Sequence, residues 1–217
     1  MSRRRVAILI SGRGSNMAAL IAAARDPSYP AEIALVASNR ADAPGLERAR
    51  ADGIPTTVVD HAAHGRDREA FERALHAEIA ARGIDILCLA GFMRLFTPWF
   101  VGQWTGRMLN VHPALLPSFK GLDTHRRAIE AGVKIHGATV HLVVPETDAG
   151  PIIAQAAIAV RDDDTAEMLA ERVLALEHRI YPLALSLLAA GRLRLVDGRC
   201  LTAGAGAPEG ALVVPGI

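Results

Sequence analysis

The sequence predicts an α/β fold: a doubly wound, mostly parallel sheet in a single domain. Three observations predict it. Short apolar runs rich in branched residues alternate with longer helical stretches through the first half of the chain. The first such run ends in a glycine-rich turn, "SGRGSN", that opens a helix. The fourth, "IDILCLAG", is almost wholly apolar, as a central parallel strand covered on both faces should be.

The elements follow in order. "RVAILI" is a buried strand, and "SNMAALIAAARD" after the glycine turn is a helix rich in Ala and Leu. "AEIALVASN" is the second strand. "APGLERARADG" is a short helix with Pro at its start and Gly just past its end. "IPTTVVD" is the third strand. "RDREAFERALHAEIAARG" is an amphipathic helix stopped by Gly83. "IDILCLAG" and "RMLNVHP" are strands four and five. "HRRAIEAG" is a helix. "KIHGATVHLVV" and "PIIAQAAIAV" are late strands whose link, "PETDAG", is too short for a parallel crossover, so they pair antiparallel. "TAEMLAERVLALEHRIYPLALSLLAAG" is a long helix that Pro182 should kink or break. "RLRLVDGR" reads as a small terminal strand and turn. One domain is expected over residues 1–200. The remainder, 201–217, is a C-terminal tail rich in Gly, Ala and Pro and loosely ordered.

Composition narrows the function. The 217 residues are 51% hydrophobic and only 4% aromatic, enough for a substantial aliphatic core. A formal net charge of +1 gives no reason to expect a nucleic-acid or membrane partner. No apolar run approaches the roughly 20 residues of a membrane span. A cytoplasmic protein is expected. Cys88 lies inside an apolar strand, and neither CxxC nor HExxH occurs, so no metal is expected. The sequence leaves the oligomeric state open.

In an open α/β sheet, ligands bind beyond the carboxyl ends of the strands. Strand one is followed by Ser11-Gly12-Arg13-Gly14-Ser15-Asn16. Gly12 and Gly14 let the backbone turn and aim N–H groups at an anion. Met17 occupies the third position of a GxGxxG pattern, and strand two ends in Ser38-Asn39 rather than an acid, which counts against a dinucleotide oxidoreductase. A monophosphate cradle remains, beside the plainer reading of a strand-to-helix turn. Strand four delivers Gly91 to Phe96. Strand five delivers Asn110 and His112, which share a face because strand residues alternate. An amide donor and a titratable imidazole together could hold a developing oxyanion, and Pro113 and Pro117 stiffen the loop behind them. A satisfied buried His–Asn pair has the same spacing. Asp148 is an ordinary turn residue unless the late-strand loop folds back to His112. His61 and His64 read as solvated, Lys120 as an exposed loop residue. His136 and His141 fall on opposite faces of one strand and so make no metal pair. Glu177 and His178 read mostly as surface residues of the long helix.

"ISGRGSN", "LAGFMRLFTPWF", "LNVHPALLPSFKGLDTHRRA", "HGATVHLV", "ETDAGPII" and "LEHRIYP" occur in one order. In these motifs the chain resembles the phosphoribosylglycinamide formyltransferase family, from Arg5 to about Asp197. Ala114 stands where the family usually has Ser. The resemblance implies a Rossmann-like formyltransferase fold. The implied activity is transfer of the formyl group of 10-formyltetrahydrofolate to the amine of glycinamide ribonucleotide in purine synthesis. It implies that Gly14, Ser15 and Asn16 hold the ribose phosphate and that Glu177 touches the nucleotide. Arg68, Asn110 and the backbone of Met93, Arg94, Leu95 and Phe96 would hold the folate co-substrate. Asn110, His112 and Asp148 would be catalytic, with Asp148 keeping His112 charged and relaying protons through water. The partners implied are two small molecules.

Two related groups differ in their additions. Methionyl-tRNA formyltransferase has a further C-terminal domain, for which no room is expected after Asp197. Formyltetrahydrofolate hydrolase has a domain ahead of the core, whereas strand one here begins at Val6. Another formyltransferase or hydrolase with the same trio, or a non-catalytic sugar-phosphate-binding paralogue, stays open as the alternative.

Overall fold

The computed structural model describes residues 3–204 and 212–214. Most of the expected tail lies outside them. Strand β1 (Arg4–Ile10) leads through the glycine turn into α1 (Ser15–Ala24). Then come β2 (Ala31–Ser38), α2 (Pro44–Ala51), β3 (Thr56–Val58), α3 (Arg68–Ala80) and β4 (Ile86–Leu89). They are followed by α4 (Pro98–Gln103), β5 (Met108–His112), α5 (Thr124–Glu130), β6 (Ile135–Leu142) and β7 (Ile152–Ala159). The long helix α6 (Ala166–Ala189) and a hairpin of β8 (Leu193–Val196) and β9 (Arg199–Thr202) complete the described elements.

The seven-stranded sheet has the order β3-β2-β1-β4-β5-β6-β7. Pairing is parallel from β3 to β5. β6 runs antiparallel to both β5 and β7. The late strands therefore pair as their short link requires.

Alternation along β1 explains the layers. Val6, Ile8 and Ile10 point into one core with Met17, Leu20, Leu46, Leu169 and Tyr181, under α1, α2 and α6. Ala7 and Leu9 point into the other, with Phe71, Leu75, Phe100 and Trp104, under α3 and α4. Both faces of the strand are dry, which is why its sequence shows no polar alternation.

Three expectations change. Pro182 lies inside α6, yet the helix runs on to Ala189. The missing N–H costs one ladder bond, but Ile180, Tyr181, Ala184 and Leu185 around it are buried in the sheet-facing core, and Tyr29 Oη donates to the Pro182 carbonyl at 2.6 Å. Helix α4 is absent from the sequence reading, although Thr97 caps it and Pro98 starts it, a common helix opening. The terminal strand and turn become a full hairpin, and β9 extends through Thr202.

Candidate active site

The strand order reverses beside β1, whose neighbours are β2 and β4. The crevice beyond the carboxyl ends of β1, β4 and β5 is the expected ligand site of such a sheet. Hydrogen bonds and short contacts tie Asn16 to Glu177, the first loop to Met93, Arg68 to Leu95 and His112 to Asp148 around these strand ends.

Gly14 has φ 69° and is the N-cap of α1, with no side-chain cap. Only glycine takes that conformation without strain. The turn thus leaves the first N–H groups of α1 open. Asn16 is buried, and its Nδ2 donates to Glu177 Oε2 at 2.6 Å, across 161 positions. Burial pushes the Glu177 pKa up, and the Asn16 bond partly counters it. Glu177 is therefore no surface charge; it stands at the glycine turn.

The neighbouring loop after β4 exposes Met93 and Leu95 at 68% and 65%. Ser11 Oγ accepts from Met93 N at 2.9 Å and donates to Asn39 Oδ1 at 2.6 Å. One hydroxyl ties the two loops together. Arg68, the first residue of α3, donates to the Leu95 carbonyl at 2.6 Å. Buried Glu72 accepts from Thr97 N at 2.7 Å and fixes the loop's far end. Phe92, Phe96 and Phe100 stack at 5.3 and 4.2 Å beneath it. Among the described residues, the N–H groups of Arg94 to Phe96 have no protein acceptor. Open backbone donors beside exposed apolar side chains suit a flat heterocycle with a hydrogen-bonding edge.

Asn110 and His112 end β5 and converge on the loop between β6 and β7. His112 Nδ1 lies 3.4 Å from Asp148 Oδ2, with the two side chains 7% and 10% exposed. His112 Nε2 donates to the Phe119 carbonyl at 2.9 Å. Both ring nitrogens face acceptors, an arrangement that an imidazolium satisfies fully. Asp148 Oδ2 also accepts from Gly121 N at 2.9 Å. The loop does fold back over the sheet end, with Asp148 at φ 49°, a conformation Asp tolerates better than most residues. Gly150 follows because nothing larger fits: a Cβ there would lie 1.7 Å from the Leu142 carbonyl oxygen.

The sequence reading names His141 only to exclude a metal pair and gives it no place at the site. It sits opposite Asn110 in the β5–β6 register, where Asn110 Nδ2 lies 3.3 Å from His141 Nε2. His141 Nδ1 is 2.9 Å from the Leu142 carbonyl, so the proton sits on Nδ1 and Nε2 accepts from the Asn110 amide. Burial lowers the His141 pKa, which favours this neutral form, although the Leu142 bond and Asp148 oppose the shift. Asp148 Oδ1 is 3.9 Å from His141 Nε2, so the carboxylate stands by both imidazoles. A histidine within the apolar run "ATVHLV" was the available signal.

A second layer holds the loop after β5. Thr139 Oγ1 accepts from Leu116 N at 3.0 Å and from Gln155 Nε2 at 2.9 Å, and donates to the Ala114 carbonyl at 2.7 Å. His136 packs edge-on to Phe119 and to His125. Burial first, and then the neighbouring His125, push the His136 pKa down to about 4. Lys120 is exposed, and its charge is near enough to add to the lowering of the His141 pKa.

A cleft with an anion-ready glycine turn, a heterocycle-ready loop and an Asn–His–Asp cluster defines a group-transfer site on a doubly wound sheet. The chain belongs to the formyl transferase family, whose model matches residues 4–185. It is 46% identical to the phosphoribosylglycinamide formyltransferase of Escherichia coli (strain K12), with 88% of this chain and 89% of that one covered. It is 49% identical to the trifunctional purine biosynthetic protein adenosine-3 of Bos taurus over 89% of this chain, and spans 19% of that longer protein. The solved glycinamide ribonucleotide transformylase 1 of Symbiobacterium toebii superposes with a TM-score of 0.89 at 46% identity, covering 93% and 94% of the two chains.

Proposed function

We propose that this chain transfers the formyl group of 10-formyltetrahydrofolate to the amine of glycinamide ribonucleotide in de novo purine synthesis. The observation that carries the reading is the adjacency of three features at the ends of β1, β4 and β5: the Gly14–Asn16 turn with Glu177, the 91–96 loop, and the Asn110–His112–Asp148 cluster. The relatives named above, phosphoribosylglycinamide formyltransferases, support the choice of acceptor.

The residues take these roles. Gly14, Ser15 and Asn16 receive the ribose phosphate, and Glu177 meets the nucleotide. Arg68, Asn110 and the backbone from Met93 to Phe96 receive the folate. The acceptor nitrogen attacks the formyl carbon, and an oxyanion develops on the formyl oxygen. Asn110 has one amide hydrogen on His141 and a second free for that oxyanion. A protonated His112, flanked by Asp148, adds positive charge beside it. The tetrahedral intermediate collapses as the C–N10 bond breaks. N10 gains the proton that the amine gives up, and Asp148 relays it through water.

Both substrates are small molecules, and we place the enzyme in the cytoplasm. No helix of the described residues is long and apolar enough to cross a membrane.

The test is direct assay. Purified protein with 10-formyltetrahydrofolate and glycinamide ribonucleotide should yield tetrahydrofolate and the formylated nucleotide in equal amounts. Charged initiator tRNA should not be formylated. Release of formate without formylated nucleotide would replace this reading with a hydrolase.

A further inference from the structure

Strand β2 ends at Ser38, and Asn39 follows it. A dinucleotide-binding sheet places an acidic residue near this position to hold a ribose hydroxyl. Here the side chain is an amide turned inward, on a residue only 4% exposed. Its backbone is fixed as well. The Asn39 carbonyl accepts from His61 Nδ1 at 2.8 Å and from His61 N at 3.4 Å. In the same turn Ser38 Oγ accepts from Arg40 N at 3.1 Å, and the Ser38 carbonyl accepts from Val59 N at 3.0 Å. The end of β2 is thus a firm mount for one side chain.

That side chain meets Ser11. Ser11 Oγ and Asn39 Oδ1 are 2.6 Å apart, a length typical of O–H···O bonds and short for N–H···O bonds. A serine hydroxyl has one hydrogen and two lone pairs. Asn39 Oδ1 takes the hydrogen, so a lone pair is left to face Met93 N at 2.9 Å. Ser11 N also donates to the Gly91 carbonyl at 3.2 Å. Ser11 therefore grips the loop after β4 at two points, and Asn39 sets the direction of one of them. Asn39 Nδ2 has no comparable role: it lies 3.2 Å from His61 Nδ1, whose hydrogen is already on the Asn39 carbonyl. The far end of the loop is held separately, by Glu72 on Thr97 N. Between these ends, among the described residues, the N–H groups of Arg94 to Phe96 have no protein acceptor.

We propose that Asn39 is a positioning residue for the folate co-substrate and acts through Ser11. By orienting the hydroxyl it fixes Met93, and with Met93 the direction of the open N–H groups that follow. The proposal rests on the 91–96 loop receiving folate, as argued above. The glycine turn has ties of its own, Gly45 N on the Gly12 carbonyl at 3.1 Å and Asn16 on Glu177, so the acceptor side does not need Asn39.

The experiment has two readouts. Amide hydrogen exchange at Met93 is followed by NMR on the unliganded protein. Folate KM, acceptor KM and kcat are measured on the same samples, with circular dichroism to check the fold. Asn39→Ala should speed Met93 exchange and raise folate KM about three- to ten-fold each, the weight of one neutral hydrogen bond, with acceptor KM nearly unchanged. Asn39→Asp keeps the acceptor oxygen and should restore most of the protection. If Asn39→Ala does not fold, Asn39→Ser, whose oxygen stands one bond nearer the backbone, gives the same reading. Ser38→Ala removes a hydroxyl from the same turn without touching Ser11 and should leave Met93 exchange as in the wild type. In a double-mutant cycle, Ser11→Ala/Asn39→Ala should be no worse in folate KM than Ser11→Ala alone. Unchanged Met93 exchange in folded Asn39→Ala, an equal loosening in Ser38→Ala, or losses that multiply in the double variant would overturn the proposal. Loosening at Met93 in a protein that takes no formyl group from formyltetrahydrofolate would leave the Asn39–Ser11 clamp standing and remove the proposed co-substrate instead.

Discussion

At Asp148 the two carboxylate oxygens serve different partners. Oδ2 lies by His112 Nδ1 and accepts from Gly121 N, while Oδ1 stands 3.9 Å from His141 Nε2. Because His141 Nε2 carries no hydrogen in the tautomer its Leu142 bond sets, the carboxylate acts mainly through His112. Asn110→Ala, His112→Ala and Asp148→Ala should each lower kcat strongly; loss of one oxyanion donor typically costs about a hundred- to a thousand-fold. The His112→Ala/Asp148→Ala double variant should be far less impaired than the product of the single effects, because groups acting as a unit are not additive. Multiplicative losses in a double-mutant cycle on kcat would show that the two act independently. Glu177 gives a prediction with a sign. Its pKa in the folded protein is raised above the ordinary 4.5, chiefly by burial. The folded state thus holds that proton more tightly than the unfolded chain. Below the ordinary value the group is protonated in both states and burial costs little. As pH rises through the raised value, the charged form must be buried and stability is lost. Glu177→Gln keeps an acceptor for Asn16 without the charge. It should raise Tm at neutral pH, with the gain shrinking to nothing in acid, while acceptor KM rises. A Tm difference that stays constant across a pH series of melting curves would refute this account.

The β6–β7 loop must deliver a carboxylate to a neighbouring strand end, and its geometry leaves no slack. Gly150 has no room for a methyl group against the Leu142 carbonyl, and Leu142 N in turn bonds the Pro151 carbonyl at 2.9 Å. Gly150→Ala must therefore shift the turn that aims Asp148. A displacement of about 1 Å can cost on the order of a hundred-fold in rate. The expected outcome is a large fall in kcat with intact secondary structure by circular dichroism and a small change in folate KM. Full activity would mean that the turn can yield elsewhere. This element also marks how far the sequence could be read. Asn110 and His112 were legible because a strand's period of two puts them on one face. Asp148 was legible only as a turn residue, since its approach to His112 depends on how β6 leaves and β7 returns. His141 reaches Asn110 through the β5–β6 register, and an antiparallel register leaves no trace in either strand alone. The Asn16–Glu177 pair spans most of the chain and needs α6 packed on α1.

Those long-range contacts place α6 at the centre of the whole molecule. It packs over β5, β6 and β7, carries Glu177 and His178, and runs through Pro182 without ending. Sequence pattern set Pro182 as a kink or a break because local propensity is all that a single helix shows; packing of the buried residues around it keeps the helix continuous. The same helix carries Tyr181, fully buried, whose hydroxyl lies 3.0 Å from the Leu89 carbonyl and 3.2 Å from that of Leu109. These lie at the end of β4 and near the start of β5, the two strands that deliver the 91–96 loop and the Asn110–His112 pair. Tyr181 thus joins the helix proposed to meet the nucleotide to the strands proposed to carry the chemistry. Removing its hydroxyl takes away the one hydrogen that these two buried carbonyls share, while the ring still fills its place. Tyr181→Phe should destabilise the protein by about 1–3 kcal/mol, the cost of unsatisfied buried polar groups. For a chain of this size that is a fall of roughly 2–12 °C in Tm. If the hydroxyl also sets α6 against the sheet, acceptor KM should rise along with that loss, because Glu177 lies one helical turn away. A variant with unchanged Tm would show the hydroxyl to be dispensable. A lowered Tm with unaltered kinetics would confine its role to stability, and the coupling of the nucleotide side to the sheet would then rest on the Asn16–Glu177 bond alone.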